Sequence, residues 1–191
     1  MTKYSPENPE GNPWTFLSKR EFIDNQWVNV SQHQVLNVAG NETTYNVVSF
    51  KNRAVGIVPL HEDGRITLVG QFRYTLNQYS WELPEGGCPE NENMLDCAHR
   101  ELEEETGLKA EIVEPFFKIH TSNSVTDEWG MVYLAKGLSQ GQAAPEENEV
   151  LQTRKVTIEE LLDEVEAAKV TDSITIAAAY KLAWLKAIDQ I

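Results

Sequence analysis

The chain has 191 residues, 41% of them hydrophobic, with a formal net charge of −14 from 16 basic and 30 acidic side chains. That length allows one domain with a real core and a small extension. The negative balance argues against a nucleic-acid backbone or an anionic membrane surface as partner, because both need basic patches. Residues 1–13 carry Pro6, Pro9 and Pro13 among Asn, Glu and Gly and read as a loose tail, not as a basic, apolar signal segment. No apolar run approaches the roughly 20 residues needed to span a bilayer. The two cysteines, Cys88 and Cys97, are not in a zinc spacing, and with so few a reduced, cytoplasmic setting is expected.

Residues 14–50 read as a small β-unit. Trp14–Ile23, Gln26–Leu36 and Thr43–Phe50 are rich in aromatic and β-branched residues and are separated by turn signals at Asp24-Asn25 and Gly40-Asn41. Three strands bury too little alone, so this unit should pack on the rest of the chain or on a second subunit. Residues 51–191 form the remaining domain. Ala54–Leu60 is a nearly continuous apolar strand, His61–Gly64 a turn and Ile66–Gly70 a second strand.

The most informative stretch is Gly86–Leu108. From Asn93 it is dominated by helix formers, with Leu95, Ala98 and Leu102 at helical spacing and Gly107 where a left-handed cap belongs. On that helix Glu101, Glu104 and Glu105 stand at i, i+3 and i+4 and share one face. Like charges about 4 Å apart at a protein surface repel by roughly 4 kcal/mol, so a cation is expected among them. Hard carboxylate oxygens favour Mg²⁺, Mn²⁺ or Ca²⁺, and a site that shares its ion with substrate phosphates suits Mg²⁺ best.

The stretch matches the Nudix box, a Gly, five residues, Glu, seven residues, Arg-Glu, an apolar residue, any residue, Glu-Glu, any residue, Gly and an apolar residue. The matching positions are Gly86, Glu92, Arg100, Glu101, Leu102, Glu104, Glu105, Gly107 and Leu108. The chain therefore resembles a Nudix hydrolase. Upstream, Gln71-Phe72-Arg73 and Glu82-Leu83-Pro84-Glu85-Gly86 resemble the words that precede the box in ADP-ribose and nucleoside diphosphate sugar pyrophosphatases.

The resemblance implies an α+β fold, a mixed sheet between helices (α/β/α sandwich) with a small N-terminal antiparallel sheet. It implies metal-dependent hydrolysis of the diphosphate bond of ADP-ribose or a nucleoside diphosphate sugar, giving a nucleoside monophosphate and a sugar phosphate. Glu101, Glu104 and Glu105 would hold Mg²⁺, with Mn²⁺ as a substitute, helped by the backbone carbonyl of Glu85. Arg100 would orient the glutamates through an ion pair and Glu92 would brace the loop. Glu82 resembles a substrate-contacting position, and Arg73 offers a planar fork for a diphosphate or terminal ribose. The N-terminal sheet would build a homodimer, with Trp14 and Trp27 either stacking on the base or packing at the interface.

Beyond the box, Lys109–Ile119 and Met131–Ala135 read as strands joined through Thr121–Glu128. ADP-ribose pyrophosphatases typically have a proline sixteen residues past the closing glycine. Asn123 stands there in this chain, which makes GDP-mannose or another sugar nucleotide a rival substrate. Residues 143–149 are polar and acidic. By resemblance this loop supplies Glu147 as general base and Glu149 as an added metal ligand, with Glu128 as the reserve base. Val150–Val156 reads as a strand and Thr157-Ile-Glu-Glu160 as a capping box opening a helix to about Ala168. A last helix starts at Asp172 or Ser173, with Ile174, Ala178, Leu182 and Leu185 as its apolar stripe. The four histidines show no ligand spacing. A non-catalytic nucleotide-sugar sensor is the competing class, and erosion of the box, which would mark it, is not seen.

Overall fold

The computed structural model describes residues 8, 10–144 and 150–191. Its described residues cluster into two units, one running up to Lys51 and including Ser122–Glu128, the other comprising Asn52–Thr121 and Trp129–Ile191.

In the first unit β1 (Thr15–Asp24), β2 (Val28–Leu36) and β3 (Glu42–Phe50) form an antiparallel sheet in that order. Asparagines close both hairpins. Asn25 accepts from the N–H groups of Trp27 and Val28, and Asn37 accepts from those of Ala39 and Asn41. Ser122–Glu128 joins this sheet through Val48 N–H on the Val125 carbonyl (2.9 Å) and the Tyr45 hydroxyl on the Ser124 carbonyl (2.8 Å). Within the three strands only Ser31 and Val35 are buried, and every residue of β1 is exposed. So small a sheet has too little apolar surface to close a core of its own.

The second unit holds a mixed sheet in the order β7-β4-β9-β8, in which β4 (Asn52–Pro59) and β9 (Trp129–Gln140) are parallel. β7 (Glu85–Pro89) and β8 (Leu108–His120) flank them in antiparallel fashion. A second, antiparallel sheet runs β10-β5-β6, from β5 (Ile66–Arg73), β6 (Gln78–Glu82) and β10 (Gln152–Val156). Alternation along the central strands explains the layering. Val55 and Ile57 of β4, with Tyr133 and Ala135 of β9, pack on Cys97, Ala98 and Leu102 of helix α1 (Met94–Thr106). Val58, Val132 and Leu134 point the other way. They join Leu161 of α2 (Ile158–Glu166) and Ile174, Ala178 and Leu182 of α3 (Ser173–Ala187). Helices thus cover both faces of the mixed sheet, the expected α+β sandwich.

Local signals set the helix ends. Thr157 and Glu160 make a reciprocal capping box, and Asp172 caps α3 by accepting from Thr175 N–H at 2.7 Å. Strands β6 and β7 were not legible in advance. Glu85-Gly-Gly-Cys-Pro has little β-propensity and becomes a strand because β4 offers it a ladder from Gly56 to Asn52. Leu102 is fully buried between α1 and the sheet. Leu102→Ala should cost about 2–5 kcal/mol, read as a lower midpoint in urea with an unchanged slope.

Candidate active site

Helix α1 starts where the Asn93 side chain accepts from Leu95 N–H (2.8 Å) and stops where Gly107 turns left-handed at φ 70°, its N–H donating to the Glu103 carbonyl. Its buried residues are Cys97, Ala98, Leu102, Glu105 and Thr106. Leu95, expected on that side, is 39% exposed. Cys97 and Ala98 take that side instead, the free thiol packing as a small hydrophobe.

Glu105 lies on the same buried side, where it is 4% exposed and its Oε2 accepts from Glu85 N–H at 3.0 Å. One turn earlier the Glu101 carboxylate lies against Gly86, so closely that a Cβ at Gly86 would overlap its carboxyl carbon and both oxygens. Two carboxylates of α1 therefore flank the Glu85-Gly86 backbone. Glu104 is more open, with its side chain 35% exposed.

Arg100 binds this group together. Nη1 donates to Glu101 (2.7 Å) and Glu104 (2.9 Å), while Nε and Nη2 donate to the two oxygens of Glu92 (3.0 and 2.9 Å). The guanidinium answers part of the repulsion foreseen among the glutamates. One positive charge against Glu92, Glu101, Glu104 and Glu105 still leaves the cluster negative.

Hydrogen bonds from Arg100 hold the Glu92 carboxyl below its usual value of 4.5. The sign follows from linkage: the pair's stabilisation is complete above the unfolded value near 4.5 and is lost as pH falls through the lower folded value. In metal-free protein, the melting temperature of the wild type should drop on acidification below about pH 4.5 more steeply than that of Glu92→Gln. Parallel curves would refute this.

Beside the glutamates lies a second charged group. Arg73, at the end of β5, donates through Nε to both oxygens of Glu82 (3.1 and 3.0 Å), through Nη2 to Glu82 as well, and through Nη2 to Glu85 Oε1 (3.0 Å). Burial works to lower the Arg73 pKa, but the Glu82 and Glu85 carboxylates outweigh it and the value is raised. Glu85 Oε2 is buried and, among the described residues, has no hydrogen-bond partner. Burial pushes the Glu85 carboxyl well above the usual range, reinforced by the charges of Asp172 and Glu82 and only partly offset by Arg73.

By donor chemistry the residues present fit a divalent cation, although among the described residues no three of these carboxylates have ligand oxygens within 4.8 Å of one another. Every candidate donor is a hard oxygen, and Gly86 leaves the space that the Glu101 carboxylate occupies. Glu85 also keeps one oxygen orphaned in a cluster short of positive charge. The side chains of Glu101, Glu104 and Glu105 and the carbonyl of Glu85 are the groups that could hold it.

The structure thus gathers Glu85, Glu101, Glu104 and Glu105 with Arg73 and Glu82. Trp14, Trp27 and Glu128 belong to the first unit. There Trp14 sets its ring edge-on to Tyr45, with centroids 5.6 Å apart, and Trp27 is 62% exposed. Glu147 and Glu149 lie outside the described residues. Two contributors escaped the sequence reading. Asp172 was legible only as a helix start, and its proximity to Glu85 is a product of tertiary packing. Arg53 carries no spacing signal, because it meets the Pro89–Glu92 turn only through the pairing of β4 with β7.

The NUDIX domain model matches residues 50–175. A methanol dehydrogenase activator of Bacillus methanolicus is 33% identical over 131 residues, 68% of this chain and 71% of that protein. An ADP-ribose pyrophosphatase of Bacillus subtilis (strain 168) is 34% identical over 135 residues, 70% of this chain and 71% of that protein. A crystal structure of an ADP compounds hydrolase superposes with a TM-score of 0.82 at 20% identity, covering 93% of this chain and 97% of that one, and so shares the fold. On the sequence match, which spans residues 50–175, the chain belongs to the NUDIX domain family.

Proposed function

We propose that the protein hydrolyses the diphosphate bond of ADP-ribose or a related nucleoside diphosphate sugar, releasing a nucleoside monophosphate and a sugar phosphate. The observation that carries this reading is the convergence of Glu101 and Glu105 on the Glu85-Gly86 backbone, next to the Arg73 guanidinium. Mg²⁺, or Mn²⁺ in its place, would be held by Glu101, Glu104, Glu105 and the Glu85 carbonyl. When bound it supplies positive charge to diphosphate oxygens that would otherwise repel an incoming water. Arg73, aimed by Glu82 and Glu85, grips diphosphate or ribose oxygens by exchanging part of its present pairing. Arg100 and Glu92 keep the glutamates in register. Glu147 takes the proton of the attacking water, with Glu128 as the reserve base; Glu104 serves catalysis through the metal it would hold, and Glu149 adds a ligand.

In the same reading residues 1–13 are a tail and residues 14–50 form the sheet that builds a homodimer and stacks Trp14 or Trp27 on the base. Residues 51–191 are the hydrolase domain. The exposed rings of Phe16, Phe22 and Trp27 support a covered interface. Two free cysteines support a cytoplasmic setting, and no helix among the described residues is long and apolar enough to cross a membrane. The negative charge speaks against nucleic acid as a partner.

The test is a substrate panel of ADP-ribose, GDP-mannose, ADP-glucose, UDP-glucose and deoxynucleoside triphosphates with Mg²⁺, each followed by phosphatase and phosphate assay. AMP and ribose phosphate from ADP-ribose are expected. Asn123, at the position where a proline is typical, keeps GDP-mannose as the second reading. Binding without turnover of any sugar nucleotide would make the protein a sensor and end the proposal.

A further inference from the structure

Arg53, the second residue of β4, pairs with Cys88 of β7, and its guanidinium reaches the turn that leads from β7 into α1. Its Nη2 lies 2.8 Å from the Pro89 carbonyl and 2.8 Å from the Glu92 carbonyl, with the Glu90 carbonyl at 3.4 Å and the Cys88 sulfur at 3.5 Å. That nitrogen carries two hydrogens, so the two short contacts take them and the longer ones are secondary. Within this turn Glu92 N–H also donates to the Pro89 carbonyl at 3.0 Å, and the Cys88 thiol lies 3.6 Å from both the Pro89 and the Glu92 carbonyl oxygens. Arg53 is therefore a principal anchor of the segment.

Glu92 is the junction of two arginines. Its backbone carbonyl accepts from Arg53, while both its carboxylate oxygens accept from Arg100, which in turn donates to Glu101 and Glu104. We propose that Arg53 is a positioning residue for the divalent-cation site: by pinning the turn it fixes Glu92, and through Glu92 and Arg100 it sets the Glu101 and Glu104 carboxylates. The proposal rests on the metal reading of the preceding section. A chain of charge-assisted bonds of this kind acts as outer-shell partners do, fixing ligand orientation without touching the ion.

The same neighbourhood brings Cys88, Glu92 and Cys97 close enough for their ligand atoms to lie within 4.8 Å of one another. In this structure the arginines are the cations at that cluster. Arg53 Nη2 stands at the Cys88 sulfur, and Arg100 Nη2 stands 3.3 Å from the Cys97 sulfur while holding the Glu92 carboxylate.

The experiment measures Mn²⁺ binding without substrate, from the electron paramagnetic resonance signal of free Mn²⁺, for wild type, Arg53→Gln, Arg53→Lys, Glu92→Gln and the double variants, with melting curves as fold controls. Arg53→Gln should weaken binding by about tenfold or more. Arg53→Lys, which keeps the charge but places its ammonium on a shorter, more flexible stem than Nη2, should fall between that variant and wild type. In the Glu92→Gln background, either Arg53 substitution should add little, because both act through one link. Wild-type affinity in Arg53→Gln, or a loss that adds in full to that of Glu92→Gln, would overturn the relay. If Arg53→Gln does not fold, the Arg53→Lys cycle with Glu92→Gln decides the same question. Wild-type protein that binds no Mn²⁺ would overturn the metal reading and the relay with it, an outcome distinct from wild type binding normally and Arg53 proving irrelevant.

Discussion

Glu105→Gln is expected to lower turnover by more than about 100-fold, the upper end of what removing an outer-shell partner costs, while leaving the fold intact. Glutamine keeps the shape and an amide oxygen that can still accept the Glu85 N–H, now received by Glu105 Oε2 at 3.0 Å. What it removes is a full negative charge from a position only 4% exposed. In the metal-free protein that removal relieves repulsion from neighbouring carboxylates, so the melting temperature should hold or rise. Steady-state rates across a Mg²⁺ titration, run beside thermal melts in chelator, separate the two effects. Near-normal rates would exclude Glu105 from the site. A lowered melting temperature in chelator would make it a structural residue instead.

Gly86→Ala should be nearly as severe for a different reason. The added methyl would occupy the volume of the Glu101 carboxylate, which is the far end of a flexible side chain and can swing aside without unfolding the helix. The fold survives and the ligand moves. A misplacement of about 1 Å at a reacting centre can cost on the order of 100-fold in rate, and that is the loss expected in kcat. Mn²⁺ affinity should fall with it, whereas the urea midpoint should shift by less than about 1 kcal/mol in equivalent stability. An active Gly86→Ala enzyme would show that Glu101 need not lie over this backbone.

These two residues also show what sequence could and could not convey. The box was legible because its instructions are local: an asparagine cap, acidic residues at helical spacing and a glycine stop act within α1 itself. The hairpin turns at Asn25 and near Gly40 were legible for the same reason, since each asparagine bonds to its own neighbours. The place of Glu101 over Gly86 was not, because it depends on β7, and β7 exists only through its pairing with β4. Nor was the capture of Arg73 by both Glu82 and Glu85. That contact brings together the end of β5, the end of β6 and the start of β7, which no spacing rule links. The stripe foreseen on α3 was nearly correct. Ile174, Ala178 and Leu182 are buried, but Thr175 and Ala179 complete the face, and Leu185 is only half-buried near the end of the helix.

The outermost strand of the N-terminal sheet carries one last implication. β1 has β2 on one side only, its register slips between Phe16 and Ser18 and again between Glu21 and Ile23, and its middle bears Lys19, Arg20 and Glu21. Irregular, charged borders of this sort make poor templates for adding strand after strand. Filamentous growth is therefore disfavoured even at high concentration, and light scattering of concentrated protein should plateau at a small, fixed particle size.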